Sequence, residues 1–109
     1  MEHRSQRRTQ AAIPVQVRGV DAQGESFEEW IDALEVSRRG LSVMTRRDLP
    51  LHTTLTVTIP GLGPTRPAEG PSDFFANASV VRVEKEGEAF RVSIRFVGAT
   101  LSTFTSEAP

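Results

Sequence analysis

Thr54-Leu55-Thr56-Val57-Thr58-Ile59 alternates an apolar and a hydroxylic residue without a break. Side chains on an extended strand point to opposite faces in turn, so Leu55, Val57 and Ile59 line one face and the threonines the other. Three β-branched threonines between β-branched and γ-branched partners disfavour a helix and suit a pleated surface. This stretch is a strand with one buried face, and its period of two reappears along most of the chain. Near the carboxyl end Phe90, Val92, Ile94 and Phe96 face one side, and Arg91, Ser93 and Arg95 the other. Near the amino end Ile13, Val15 and Val17 alternate with Pro14, Gln16 and Arg18, with proline at the strand start, where a missing N–H costs least.

Between these anchors the pattern continues. Asp21-Ala22-Gln23-Gly24 is a turn. From Glu25 to Val36 a second strand carries Phe27, Trp30, Ile31 and Leu34, whose imperfect alternation predicts a bulge or burial on both faces. Leu41 and Val43 form the inner face of a third strand. Residues 60–73, with four prolines and three glycines, read as a long irregular loop. Phe74 to Glu84 is a fifth strand, which Glu86-Gly87-Glu88 turns into the sixth. Residues 1–12 are polar and basic without periodicity, the pattern of a mobile arm, and residues 99–109 form a tail with at most a short helix. Six antiparallel strands and no convincing long helix make the chain all-β, a small closed barrel or a sandwich.

At 109 residues there is one domain and one core. No apolar run approaches the ~18 residues a membrane helix needs, and Met1-Glu2-His3-Arg4 begins no secretory signal. The absence of cysteine removes disulfide and thiolate-metal chemistry and fits a cytoplasmic, reducing setting. Enzyme chemistry finds no foothold. His3 and His52 are far apart without metal-ligand neighbours, Ser37 has no nearby histidine base, and Gly61-Leu62-Gly63 opens no helix. The expectation is a binding protein with no catalytic residue, no metal and no cofactor.

The net charge of −1 conceals blocks of opposite sign. Arg4, Arg7 and Arg8 stand in the arm. Asp21, Glu25, Glu28, Glu29, Asp32 and Glu35 follow with no base among them, and then come Arg38, Arg39, Arg46 and Arg47. Every basic residue but Lys85 is arginine, which genome base composition explains as well as phosphate recognition does. In Glu35-Val36-Ser37-Arg38-Arg39-Gly40, at a strand end, Glu35 and Ser37 project from the same face. Gly40 is available for a positive φ or for close approach of a ligand to the backbone.

Arg4-Ser5-Gln6-Arg7-Arg8, the strand Ile13-Pro14-Val15-Gln16-Val17, and then Glu35-Val36-Ser37-Arg38-Arg39-Gly40 together resemble the PilZ domain family, whose pattern is RxxxR followed by (D/N)xSxxG. The similarity continues through Leu41-Ser42-Val43, Leu49-Pro50-Leu51, Val80-Val81-Arg82-Val83 and Val92-Ser93-Ile94-Arg95-Phe96, covering residues 3–98. The resemblance implies a six-stranded antiparallel β-barrel, a PilZ-like split barrel, over residues 13–98, with the arm at 1–12 and little or no helix in the tail at 99–109. It implies a bacterial receptor for cyclic di-GMP, held by Arg4, Arg7, Arg8, Glu35, Ser37, Arg38, Arg39 and Gly40. The arm would order over the ligand and relay binding to a protein effector. Two positions depart from the family: Glu35 stands for Asp or Asn, and Ser93 for a glycine common in the last strand. A PilZ-like protein-interaction module that has lost or weakened nucleotide binding is therefore the alternative. A barrel for single-stranded DNA or RNA fits less well, since there is no tyrosine, one tryptophan and no net positive charge.

Overall fold

A computed structural model describes residues 13–98 and Leu101. The strands are β1 (Ile13–Val20), β2 (Ser26–Ser37), β3 (Gly40–Thr45), β4 (Thr54–Ile59), β5 (Thr65–Arg66), β6 (Gly70–Pro71), β7 (Phe74–Glu86) and β8 (Ala89–Val97). Six of them close an antiparallel barrel in the order β1-β2-β3-β8-β7-β4. Closure gives each of the six barrel strands a hydrogen-bonded neighbour on both sides. The expected six-stranded antiparallel β-barrel is the fold, and no helix occurs among the described residues. Residues 60–73, expected to be irregular, contain a small ribbon in which β5 pairs with β6. The arm carrying Arg4, Arg7 and Arg8 lies outside the described residues, as does the tail apart from Leu101.

The alternation sets the core. Leu55, Val57 and Ile59 of β4 are buried, with Val15 and Val17 of β1 and Val92 and Ile94 of β8. Val17 pairs directly with Val57, and the Phe74 and Phe96 rings meet at 4.9 Å in a tilted arrangement. Leu101 is fully buried in the same cluster, and its N–H donates to the Arg38 carbonyl at 2.8 Å. The segment after β8 thus places one leucine in the core, beside the β2–β3 turn.

Two bulges break the alternation. In β2 the register with β3 shifts between Ala33 and Glu35, and Leu34 is the extra residue. Ala33 and Val36 both pack on the core, while Leu34 and Glu35 lie on the outside. This is the bulge that the uneven spacing of Phe27, Trp30, Ile31 and Leu34 predicted. In β7 the register with β8 shifts between Val80 and Arg82, leaving Val81 outside. The bulged strands flank the β3–β8 pair, one on each side.

At the far end of the barrel a different cluster ties the turns together. Asp21 Oδ1 accepts from the N–H groups of Gln23 and Glu25, at 2.9 and 3.0 Å, closing the β1–β2 turn. Arg47, in the β3–β4 connection, donates to Asp21 Oδ2 at 2.8 Å and to Glu29 Oε2 at 2.6 Å, and its guanidinium covers the Phe27 ring. The Glu25 N–H, then Arg47 and the Gln23 N–H, hold the Asp21 carboxyl below its ordinary value against the opposing effect of burial. Glu29 first and Asp21 second push Arg47 up. Arg47 is therefore a structural staple, whereas Arg46 is exposed and only 3.7 Å from Glu88 at the surface.

Candidate functional site

The β2–β3 turn is built by its own side chains. Ser37 Oγ donates to the Gly40 carbonyl and accepts from the Arg39 N–H, both at 3.3 Å. The backbone is anchored from the other side, where the Phe96 N–H donates to the Arg39 carbonyl at 2.8 Å. These bonds fix the turn and leave the Arg38 and Arg39 guanidinium groups with no ion pair among the described residues.

Gly40 serves packing. Positive φ occurs at Gly24, Gly61, Gly70, Gly87 and Gly98 but not at Gly40, so the conformational reason available from sequence does not apply. An added Cβ would instead fall onto the Ile94 carbonyl oxygen and lie 3.1 Å from the Arg95 Cα. The absent side chain lets β3 approach β8.

Beside this turn a cleft of about 670 Å³ opens on the outer wall across β2, β3, β8 and β7. Such a volume is within the range of small-molecule sites. Along its floor Gly40 pairs with Arg95 and Ser42 with Ser93, while most of the lining is apolar, with Ala33, Val36, Leu41 and Ile94 contributing. Its shoulders are the two bulge residues, Leu34 and Val81, which are apolar and 43% and 47% exposed. Flattened floor and raised shoulders both follow from the sequence, since bulges turn Leu34 and Val81 outward on either side of a serine pair. Ser42 Oγ is buried without a hydrogen-bond partner, an uncompensated polar atom in the lining of the cleft.

Of the residues singled out from sequence, Glu35, Ser37, Arg39 and Gly40 all line the cleft. Arg38 sits at the turn but outside the lining. Arg4, Arg7 and Arg8 are outside the described residues, yet Ile13, which immediately follows their segment, lines one edge of the cleft. The Glu35 carboxylate is largely exposed, with Arg91 at 3.8 Å. Ser42 and Arg95 were not legible as site residues. The signal that places them is the β3–β8 register, which joins positions about fifty residues apart and depends on barrel closure. No group of His, Cys, Asp or Glu residues able to hold a metal occurs among the described residues.

The described residues thus form a closed β-barrel with an open cleft on its wall, lined by Arg39 and Arg95 among others. The family model for the PilZ domain matches residues 2–105, nearly the whole chain, and the chain belongs to that family. PilZ domains are binding and adaptor modules that take cyclic di-GMP, not an enzyme family. No curated protein and no solved structure matches the chain. Among the described residues no helix is long and apolar enough to cross a membrane.

Proposed function

We propose that this chain is a single-domain receptor for cyclic di-GMP, which binds in the cleft between Leu34 and Val81. The observation that carries the reading is that four residues of the second motif line one cleft, with the first described residue after the arm at its edge. Glu35, Ser37, Arg39 and Gly40 line the cleft, and the segment bearing Arg4, Arg7 and Arg8 joins the barrel at its edge through Ile13. Guanidinium forks suit both phosphate oxygens and the O6/N7 edge of guanine, and their planes stack on purines. Arg4 and Arg8 supply those forks, Arg7, Arg38 and Arg39 add positive charge, and Glu35 accepts from a guanine N–H. Ser37 holds the turn from which Arg39 projects. Ordering of the arm over the ligand is the output, relayed to a protein effector in the cytoplasm.

The interaction-module reading rests on Glu35. Its carboxylate is one methylene longer than the family's Asp and is directed toward Arg91. Titration calorimetry with cyclic di-GMP separates the two. The parent binds, Arg8→Ala loses about 1.5–3 kcal/mol, at least tenfold, and Arg46→Ala, at the far barrel end, changes little. Glu35→Asp withdraws the carboxylate from Arg91 and strengthens binding. No heat of binding with the parent and none with Glu35→Asp would refute the receptor reading and leave the interaction module.

A further inference from the structure

The barrel closes through only part of β2. Its ladder with β1 runs from Ser26 opposite Val20 to Ala33 opposite Ile13, but its ladder with β3 begins at Ala33 and ends at Ser37. Residues 26–32 are therefore bonded on one side, and no backbone bond from the β3–β4 connection takes up the other. Successive residues of an antiparallel strand turn their N–H and C=O groups to alternate sides. About half of the backbone groups in this stretch thus face an open edge, roughly 23 Å long at ~3.4 Å a residue. A cavity of about 550 Å³ lies along it, lined by Glu29 and Ile31 of β2 and by Met44, Thr45 and Arg46 where β3 stops. Arg47 reaches across only to the Glu29 carboxylate and the Phe27 ring, so it closes the barrel end and bonds none of the edge backbone.

Other open stretches among the described residues are protected. Residues 82–86 of β7 pair with β8 alone, and Arg82, Glu84, Lys85 and Glu86 fill them with charge of both signs. The start of β1 lies beyond its ladder with β4, and there Pro14 has no N–H to offer. Lysine, mixed charge and proline are the usual defences of a sheet edge against further pairing. Residues 26–32 contain neither lysine nor proline. At their centre Trp30 is 59% exposed, and two positions away on the same outer face stand Glu28 and Asp32, also exposed. Glu28 accepts from the Gln16 amide, and Arg18 opposite makes no ion pair with it. Asp32 has no basic partner among the described residues. Acids of one sign repel a strand like themselves and admit one of opposite sign.

We propose that residues 26–32 are a docking edge for an extended segment of another protein, which joins the barrel as an added strand. The segment carries an apolar residue flanked, two positions away on each side, by lysine or arginine. The apolar residue meets Trp30, the two cations meet Glu28 and Asp32, and the main chain takes up the free N–H and C=O groups. A second copy of this chain would set Glu28, Glu29 and Asp32 against the same three acids, and a nucleic acid would meet them with its phosphates. The inference needs no nucleotide in the cleft, so it stands or falls apart from the receptor reading.

Trp30 is the only tryptophan in the chain, so its emission reports on this edge directly. The full chain is titrated with a synthetic peptide in which Lys, Val and Lys alternate with threonines, and amide hydrogen exchange is followed with and without it. The peptide is expected to shift Trp30 emission to the blue and to slow exchange at alternate amides of residues 26–32. Glu28→Lys combined with Asp32→Lys is expected to weaken binding at least tenfold. Glu69→Lys combined with Glu84→Lys, the same change of charge elsewhere on the surface, is expected to match the parent; thermal melts establish that both double variants fold. Unchanged Trp30 emission with the peptide would overturn the inference. So would an equal loss in the two double variants, since the attraction would then be one of net charge. A shifted emission without slowed amides would overturn it too, because the peptide would lie on the side chains without joining the ladder. A free chain that dimerises in sedimentation with Trp30 covered would assign the edge to a second copy and refute the proposed partner.

Discussion

Gly40→Ala tests how the cleft is built. An alanine methyl at this position would occupy the space of the Ile94 carbonyl oxygen, which belongs to the backbone of β8 and cannot rotate away. Relief requires β3 and β8 to separate locally. Forcing an extra carbon into close packing costs about 1–3 kcal/mol. Separation also weakens the bond from the Phe96 N–H to the Arg39 carbonyl, a net loss of about 1 kcal/mol. The sum, about 2–4 kcal/mol, is a large share of the ~5–15 kcal/mol that holds a domain folded.

Urea unfolding followed by far-ultraviolet circular dichroism gives the number, and Gly24→Ala supplies the contrast. Gly24 has a φ of 81° and open space around its Cβ position, so alanine there is strained by backbone conformation alone. That strain is about 1 kcal/mol. Gly40→Ala is expected to cost clearly more than Gly24→Ala and to weaken ligand binding as well, since the Arg39 backbone shifts with it. A Gly40→Ala protein within about 0.5 kcal/mol of the parent would refute the close-packing account.

Leu101→Ala removes a fully buried side chain and should cost about 2–5 kcal/mol in urea unfolding; a loss below about 1 kcal/mol would show that the barrel core does not depend on it. The folded protein holds Asp21 charged below its ordinary value of 3.8, so the stability that the charge contributes is complete above that value and drains away as pH falls through the lowered one. Melting temperature should therefore drop more steeply below pH 3.8 in the parent than in Asp21→Asn, and identical acid limbs would refute the staple.

How much of this was visible in the sequence depended on whether the signal was local. Leu55, Val57 and Ile59 declare their strand because alternation is a property of adjacent residues, and the irregular spacing of Phe27 to Leu34 narrowed that strand to a bulge or burial on both faces, of which the structure shows the bulge. The turn at Glu35 to Gly40 was legible as a corner, because Ser37 bonds to the backbone of its own turn. The reason for Gly40 was not, because the atom that excludes a side chain there belongs to Ile94, fifty-four positions away. Arg46 and Arg47 show the same limit in sharper form: adjacent and identical in type, they read as one basic patch. Only the fold separates them, burying Asp21 beneath Arg47 and leaving Arg46 in solvent. Leu101 looks like tail residue by composition and is core by contact. Charge pattern alone therefore overcounts binding arginines: what marks Arg47 as structural is the pair of acids opposite it, Asp21 and Glu29, which only the fold brings there.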